Sequence, residues 1–447
     1  MLSTKKFLLC LSLVTILGFI LRFYQYDKIP PFLETADEVM YPWAGISLLK
    51  TGTPSSWSWF PSYKNAHLIQ LWGASFNIVT PWIEKPPLYP LITGSLSLMF
   101  GEDQFSKVQI STIRITPLVI SIFSIILVGL TTAVIFDNNI AILASLIYAT
   151  APTIVISNRL SLTENLLTPL ILLALLILNL KKEKFWQKIS PYLLGIISGL
   201  AILTRQFGVV LPIYLIIILL TKKQLKDALV VGIFSVIIGG IYPLIGYYYD
   251  WQLFLSVLRD YKGYYLYGLP LGITNIFRYP MITNTFSPFL DGTILAGYIL
   301  LTASPFIYRN NIKNLQFYSF PFLYLVMLSI LESGHFTFGW HLYPLFPFAV
   351  IILANIFREI WRKPEVTEVI FLFLVIGFSS LHFLTSLSPF LQMYWQVIAA
   401  LSFLTITLLF ILKEKKYLMV SLKTFFVLYI LVNILAVINF SQLYPSK

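Results

Sequence analysis

Apolar runs separated by short polar stretches recur along the chain from residue 7 onward. Runs of about 17–25 such residues are what a bilayer-crossing helix requires. One region departs from the pattern. Residues 24–85 form a long polar and aromatic segment after the first run, with five of the ten tryptophans (Trp43, Trp57, Trp59, Trp72, Trp82) and the adjacent acids Asp37-Glu38. Within it, Val39, Met40, Trp43, Ile46 and Leu49 recur near the 3.6-residue period. That spacing predicts an amphipathic helix over 37–50 lying on the membrane, with Thr35 as its cap.

Composition sharpens the class. Of 447 residues, 57% are hydrophobic and 11% charged, against about a quarter charged in soluble domains; mean hydropathy is +0.81. The chain reads as an all-α polytopic membrane protein. Its net charge of +12 sits in short basic clusters between apolar runs, as in cytoplasmic loops, and implies no nucleic acid. The single cysteine, Cys10, excludes an intramolecular disulfide and a cysteine-based metal site. Lys5-Lys6 and the apolar stretch behind it resemble a signal peptide, but Arg22-Phe23-Tyr24-Gln25-Tyr26 contains no small-residue cleavage site. Residues 7–23 are therefore expected to be an uncleaved anchor.

Lysine and arginine cluster at 5–6, 181–188, 222–226, 309–313, 358–363 and 413–416. If all six clusters are cytoplasmic, the number of crossings between any two is even. Residues 191–220 then form a hairpin broken near Thr204-Arg205-Gln206, while 110–135, 139–157 and 164–180 are single spans. The fifteen residues 86–100, opening Pro86-Pro87, read as a re-entrant or surface helix that closes the first loop. The expectation is thirteen spans in the plasma membrane, N-terminus inside, C-terminus outside. Asp37, Glu38, Glu84, Lys85, Arg159, Glu164, Arg205, His335 and His341 then converge on the external face. A second external loop is expected at 250–290, centred on Tyr261-Lys262-Gly263-Tyr264-Tyr265-Leu266-Tyr267. The chain divides into a catalytic module, 1–350 with external loop 24–109, and C-terminal helices, 351–447.

Charges at membrane depth are costly, and they serve either chemistry or structural pairing. Asp37 and Glu38 suit a general base acting on an acceptor hydroxyl or amine; they equally suit first-turn acids that favour a helix N-terminus. Lys85, held stiffly before two prolines, suits a phosphate ligand or a snorkelling interfacial lysine. Arg159 and Glu164 bracket a turn, either as a phosphate-directed arginine and a donor-sugar acid or as mutually neutralising charges. Arg205, at a hairpin tip in apolar sequence, fits a buried phosphate partner. His341 suits a phosphate donor, Tyr343 shapes the start of a late span, and a lone interfacial histidine is also a common structural residue. GxxxxGK[ST], GxGxxG before a soluble helix, HExxH and CxxC are absent, and so is a cytoplasmic domain for a soluble nucleotide donor.

The ordered set resembles the GT-C superfamily, in the branch holding protein O-mannosyltransferases and lipid A aminoarabinose transferases. It consists of Asp37-Glu38 with Tyr41 and Ala44, Glu84-Lys85-Pro86-Pro87-Leu88, Arg159 and Glu164, Gly199-Leu200-Ala201-Ile202-Leu203-Thr204-Arg205, and His341-Leu342-Tyr343-Pro344-Leu345-Phe346-Pro347. The resemblance implies an inverting glycosyltransferase that takes a sugar from a polyprenyl-phosphate donor. The acceptor would be a lipid, glycan or protein at the non-cytoplasmic face. Asp37 would be the base with Glu38 its neighbour; Lys85, Arg159, Arg205 and His341 would bind the donor phosphate; Tyr41, Glu84, Glu164 and Tyr343 would contact substrate. Glu164 stands where close relatives usually carry aspartate, and His341 where they often carry an arginine-containing pattern. Without an Asp-x-Asp motif in the second loop, the resemblance favours a mechanism with no metal and no other cofactor. The rival class is a polyprenyl-linked lipid flippase or transporter, for which charges spread through the membrane depth and a structural repeat are expected.

Overall fold

A computed structural model describes residues 3–180, 184–263, 291–331, 339–411 and 415–440. Helix α1, Thr4–Phe23, is the N-terminal span. The segment expected outside the membrane follows: α2 (Asp37–Thr51), strands β1 (Ser56–Trp57), β2 (His67–Leu71) and β3 (Ala74–Val79), then α3 (Leu88–Met99). The strands form an antiparallel sheet in the order β1-β3-β2. Trp72 and Gly73, with φ of 52° and 75°, make the two-residue turn between β2 and β3, a conformation that matches strand twist.

Helix α2 is present as expected, but it is packed into protein. Val39, Trp43 and Ile46 share a core with Phe76 and Ile78 of the sheet, and Leu49 is exposed. Its other face crosses α3 where Gly45 meets Gly94. A Cβ on either glycine would overlap the opposing backbone, so the contact depends on having no side chain there. The Thr35 hydroxyl accepts the Asp37 N–H at 3.2 Å, while Ala36 occupies the N-cap position itself.

The helices that follow are α4 (Ile110–Ile113), α5 (Ile115–Ile135), α6 (Asn138–Thr150), α7 (Pro152–Ser157), α8 (Thr163–Asn179), α9 (Lys184–Thr204), α10 (Val210–Thr221), α11 (Leu225–Gly239) and α12 (Ile241–Gly263). They continue with α13 (Gly292–Ile307), α14 (Ile312–Leu331), α15 (Phe346–Arg362), α16 (Val366–Leu372), α17 (Phe378–Leu387), α18 (Pro389–Ile411) and α19 (Lys415–Ile438). Among the described residues, eight helical stretches are long and apolar enough to cross a bilayer, and five shorter apolar helices accompany them. The molecule is a multi-pass membrane protein.

Several boundaries differ from the sequence reading. The run 110–135 breaks at Arg114, and 139–157 breaks at Ala151, before Pro152. Helix α12 continues to Gly263 with a kink at Asp250, so the external loop expected at 250–290 begins as helix; Tyr264–Tyr267 and His335 lie outside the described residues. Residue 350 falls inside α15, a helix buried throughout its apolar window, because the protein core runs through that position. The hairpin at Arg205 is present: α9 ends at Thr204 and the chain folds back through a 3-10 turn, Gln206–Val209. Gly208 presses so closely on the Ala201 backbone that a Cβ would overlap it.

Candidate active site

Successive helical residues point about 100° apart, so the adjacent acids of α2 face different surroundings. Glu38 turns inward and is buried. It accepts Arg114 Nε at 2.9 Å on Oε1 and Arg114 Nη2 at 2.7 Å on Oε2, and its Oε1 also accepts the Ser161 N–H at 3.0 Å. Arg114 Nη1 donates to the carbonyls of Tyr26 and Pro30. Both ends of this pair are saturated within the protein. Arg114 carries no obvious sequence signal beyond being one cation in a long apolar run.

Asp37 turns the other way and stays partly exposed. It lies in the electrostatic field of Lys85, Glu84, Arg205 and Glu164. Burial raises its carboxyl pKa to about 6, with Lys85 pulling it back down, Glu84 pushing up, and Arg205 and Glu164 opposing each other more weakly. One turn on, the buried Tyr41 hydroxyl feels the same Asp37, Glu164 and Arg205; burial first, then Asp37, holds it above the usual phenol range. Its ring meets Tyr89 edge to face.

The cations are held by their own acids. Lys85 Nζ is 3.4 Å from Glu84 Oε1, and the Ser58 hydroxyl donates to Glu84 Oε2 at 2.8 Å. The Glu84 carbonyl accepts Gln206 Nε2 at 2.7 Å and the Tyr242 hydroxyl at 3.0 Å. Gln206 thereby ties the Lys85 segment to the residue next to Arg205. At the α9 break, Arg205 Nη1 meets Glu164 Oε1 at 2.5 Å and donates to Thr163 Oγ1 at 3.2 Å, and the Thr163 hydroxyl donates to Glu164 Oε2. Arg205 Nη2 lies 2.7 Å from His341 Nε2. A guanidinium only donates, so Nε2 accepts and this imidazole carries its proton on Nδ1. His341 and Tyr343 sit in a buried 3-10 stretch, Gly339–Leu345; the His341 carbonyl accepts the Tyr324 hydroxyl and Tyr343 stacks on Phe346.

Asp37, Glu84, Lys85, Glu164 and Arg205 are thus one cluster, with Tyr41 and His341 at its border. Arg159 is not in it. Its guanidinium donates to the carbonyls of Arg22, Ile29 and Leu21 and closes the C-terminal end of α1. The buried Arg22 beside it, unforeseen from sequence, donates to Asn158 Oδ1 and to the carbonyls of Gly18, Tyr148 and Ala149. Among the described residues no group of three His, Cys, Asp or Glu side chains is arranged to hold a metal ion.

A cavity of about 380 Å³ adjoins the cluster, walled by Leu48, Trp82, Pro87, Tyr242, Leu244 and Tyr248, with Lys85 as its one charged lining residue among the described residues. It is an apolar slot with a cation in its wall.

Residues 84–247 match the family model for dolichyl-phosphate-mannose-protein mannosyltransferases, and this stretch contains Lys85, Glu164 and Arg205. No curated protein sequence matches the chain. Among solved structures, the chain is similar to ArnT from Cupriavidus metallidurans bound to undecaprenyl phosphate, with a TM-score of 0.60 and 14% identity over 99% of this chain and 78% of that one. The same protein in its apo state gives a TM-score of 0.55. The oligosaccharyltransferase AglB from Archaeoglobus fulgidus, in complex with an inhibitory peptide and a dolichol phosphate, gives 0.52 at 13% identity, over all of this chain and 57% of that one. The chain thus shares its fold with ArnT and AglB, and its residues 84–247 match the mannosyltransferase family model.

Proposed function

We propose that the chain is an inverting glycosyltransferase that moves a sugar from a polyprenyl-phosphate donor to an acceptor at the non-cytoplasmic membrane face. The observation that carries this reading is the meeting of a partly open Asp37 with Lys85 and Arg205, beside an apolar cavity that Lys85 helps to line. The family match and the lipid phosphates bound by ArnT and AglB support it. Thirteen crossings with the N-terminus inside remain the topology that the basic clusters favour.

In this reading the lipid chain lies in the apolar slot and its phosphate meets Lys85 and Arg205. An acceptor hydroxyl or amine attacks the anomeric carbon, Asp37 takes its proton, and the carbon–oxygen bond to phosphate breaks. The phosphate leaves as polyprenyl monophosphate, and its growing charge falls on cations already fixed in a water-poor site. A phosphate leaves readily as an anion, so no acid need protonate it. Glu164 and His341 orient Arg205, and Glu84 orients Lys85. Glu38 and Arg159, whose polar atoms are engaged by Arg114 and by backbone carbonyls, are scaffold in this assignment.

The test incubates purified protein with labelled polyprenyl-phosphate sugars and membrane extract. Wild type is expected to transfer label to an extract component and Asp37→Asn to lose transfer; transfer undiminished in the variant removes Asp37 from the chemistry.

A further inference from the structure

The roomiest cavity described lies away from this cluster. It encloses about 760 Å³ and is lined by residues including Leu178, Lys188, Leu194, Leu219, Lys222 and Asp227. Helix α8 has Glu164 in its first turn and Leu178 near its last. Helix α9 runs from the Lys188 end to Thr204, next to Arg205, and α10 leads from that turn back to Lys222. The cavity and the catalytic cluster therefore occupy opposite ends of the same helices. The 21 residues of α9 put them about 30 Å apart, one hydrocarbon thickness.

The lining is amphipathic. Pro191, Leu194 and Leu219 are buried, while Gln187, Lys188, Lys222 and Gln224 of the same lining are exposed. Asp227, in the first turn of α11, is the one acid of the lining among the described residues. A third cation outside the lining, Lys313, lies within electrostatic reach of Lys222 and is held by donating Nζ to the Val134 and Ile135 carbonyls at the end of α5. Trp186 and Tyr192 are exposed beside the cavity, as aromatics are at a membrane–water boundary. Two lysines and one acid thus share a lining that is otherwise apolar or neutral among the described residues, with a third lysine near Lys222.

We propose that this cavity binds the phosphate headgroup of an anionic membrane lipid in the leaflet opposite the catalytic cluster, with Lys188 and Lys222 as its ligands. The acyl chains lie along the apolar floor, and the bound lipid ties the ends of α8, α9, α10 and α11 together. The assignment does not depend on the proposed transfer reaction.

Native mass spectrometry of the purified full chain, titrated with phosphatidylglycerol, phosphatidylcholine or inorganic phosphate, tests it. Phosphatidylglycerol is expected to be retained in preference to phosphatidylcholine. A lysine near an anionic lipid surface is worth about fivefold in binding, so Lys188→Gln/Lys222→Gln is expected to weaken retention about 25-fold. Asp227→Asn is expected to strengthen it severalfold, a gain that misfolding does not produce, and Lys363→Gln to leave it unchanged. Equal retention by wild type and the double variant overturns the site; displacement of the lipid by inorganic phosphate overturns its assignment to a lipid.

Discussion

Two buried carboxylate–guanidinium pairs, Glu38–Arg114 and Glu164–Arg205, share a chemistry and differ in surroundings. In the first, each carboxylate oxygen receives a guanidinium N–H, a backbone N–H adds a third, and two carbonyls take up Arg114 Nη1. In the second, Arg205 is shared among Glu164, Thr163 and His341 and acts on the partly open Asp37. A saturated ion pair fastens the external segment to α4 and α5. The pair that faces a second carboxylate and a second cation next to an apolar cavity is the one the proposed transfer uses. Burial of charge alone does not separate the two; what lies beyond the pair does.

The comparison breaks first at the acids of α2. Asp37→Asn is expected to cut transfer by about 10²–10⁴-fold, the range for a general base, without lowering Tm. The sign follows from the raised pKa: folded Asp37 holds its proton up to about pH 6, above the ordinary carboxylate range, so the ionised form works against folding at neutral pH and its removal relieves that. A thermal-shift assay on the same sample checks this half. Arg114→Met is expected to do the reverse, costing about 3–5 kcal/mol of stability, because it leaves Glu38 buried and unpaired; yield and Tm read this out, and Glu38→Met in the same chain is expected to restore part of the loss.

Smaller effects sharpen the assignment. Gln206→Ala removes the tie between the Glu84 carbonyl and the Arg205 turn, worth about 1 kcal/mol as one hydrogen bond. It is expected to lower transfer about fivefold with little change in Tm, since Tyr242 still holds the same carbonyl. The mildest test is pH. A base with a pKa of about 6 is half ionised there, so transfer is expected to be half its plateau at pH 6 and to fall tenfold per unit below it, with no such break in the thermal stability of Asp37→Asn.

The site was legible in the sequence where charge is scarce. Asp37, Lys85, Glu164 and Arg205 stand out in a chain that is 11% charged, and the parity of crossings between basic clusters put them on one face. The partners of Glu38 and Arg159 were not legible. Whether an acid at position 37 or 38 turns inward depends on the rotation of α2, which is set by its packing on the sheet and at Gly45–Gly94. Arg114 lies 76 positions from Glu38 in a stretch that hydropathy reads as one uninterrupted span. Arg159 answers the unpaired carbonyls at the end of α1, a requirement of every helix terminus that no motif marks. The sheet escaped notice because its strands are short and joined by a turn at Trp72-Gly73, where tryptophan is not a turn-forming residue.

The most direct test is an experimental structure of the protein with a polyprenyl monophosphate bound. The account predicts the phosphate between Lys85 and Arg205, with charge-assisted contacts of about 2.7–2.9 Å to both, the lipid chain along Tyr242 and Leu244, and the Asp37 carboxylate facing the phosphate across the space for a sugar. A phosphate seated instead against Arg159 or Arg114, with Asp37 turned away from it, would contradict the assignment.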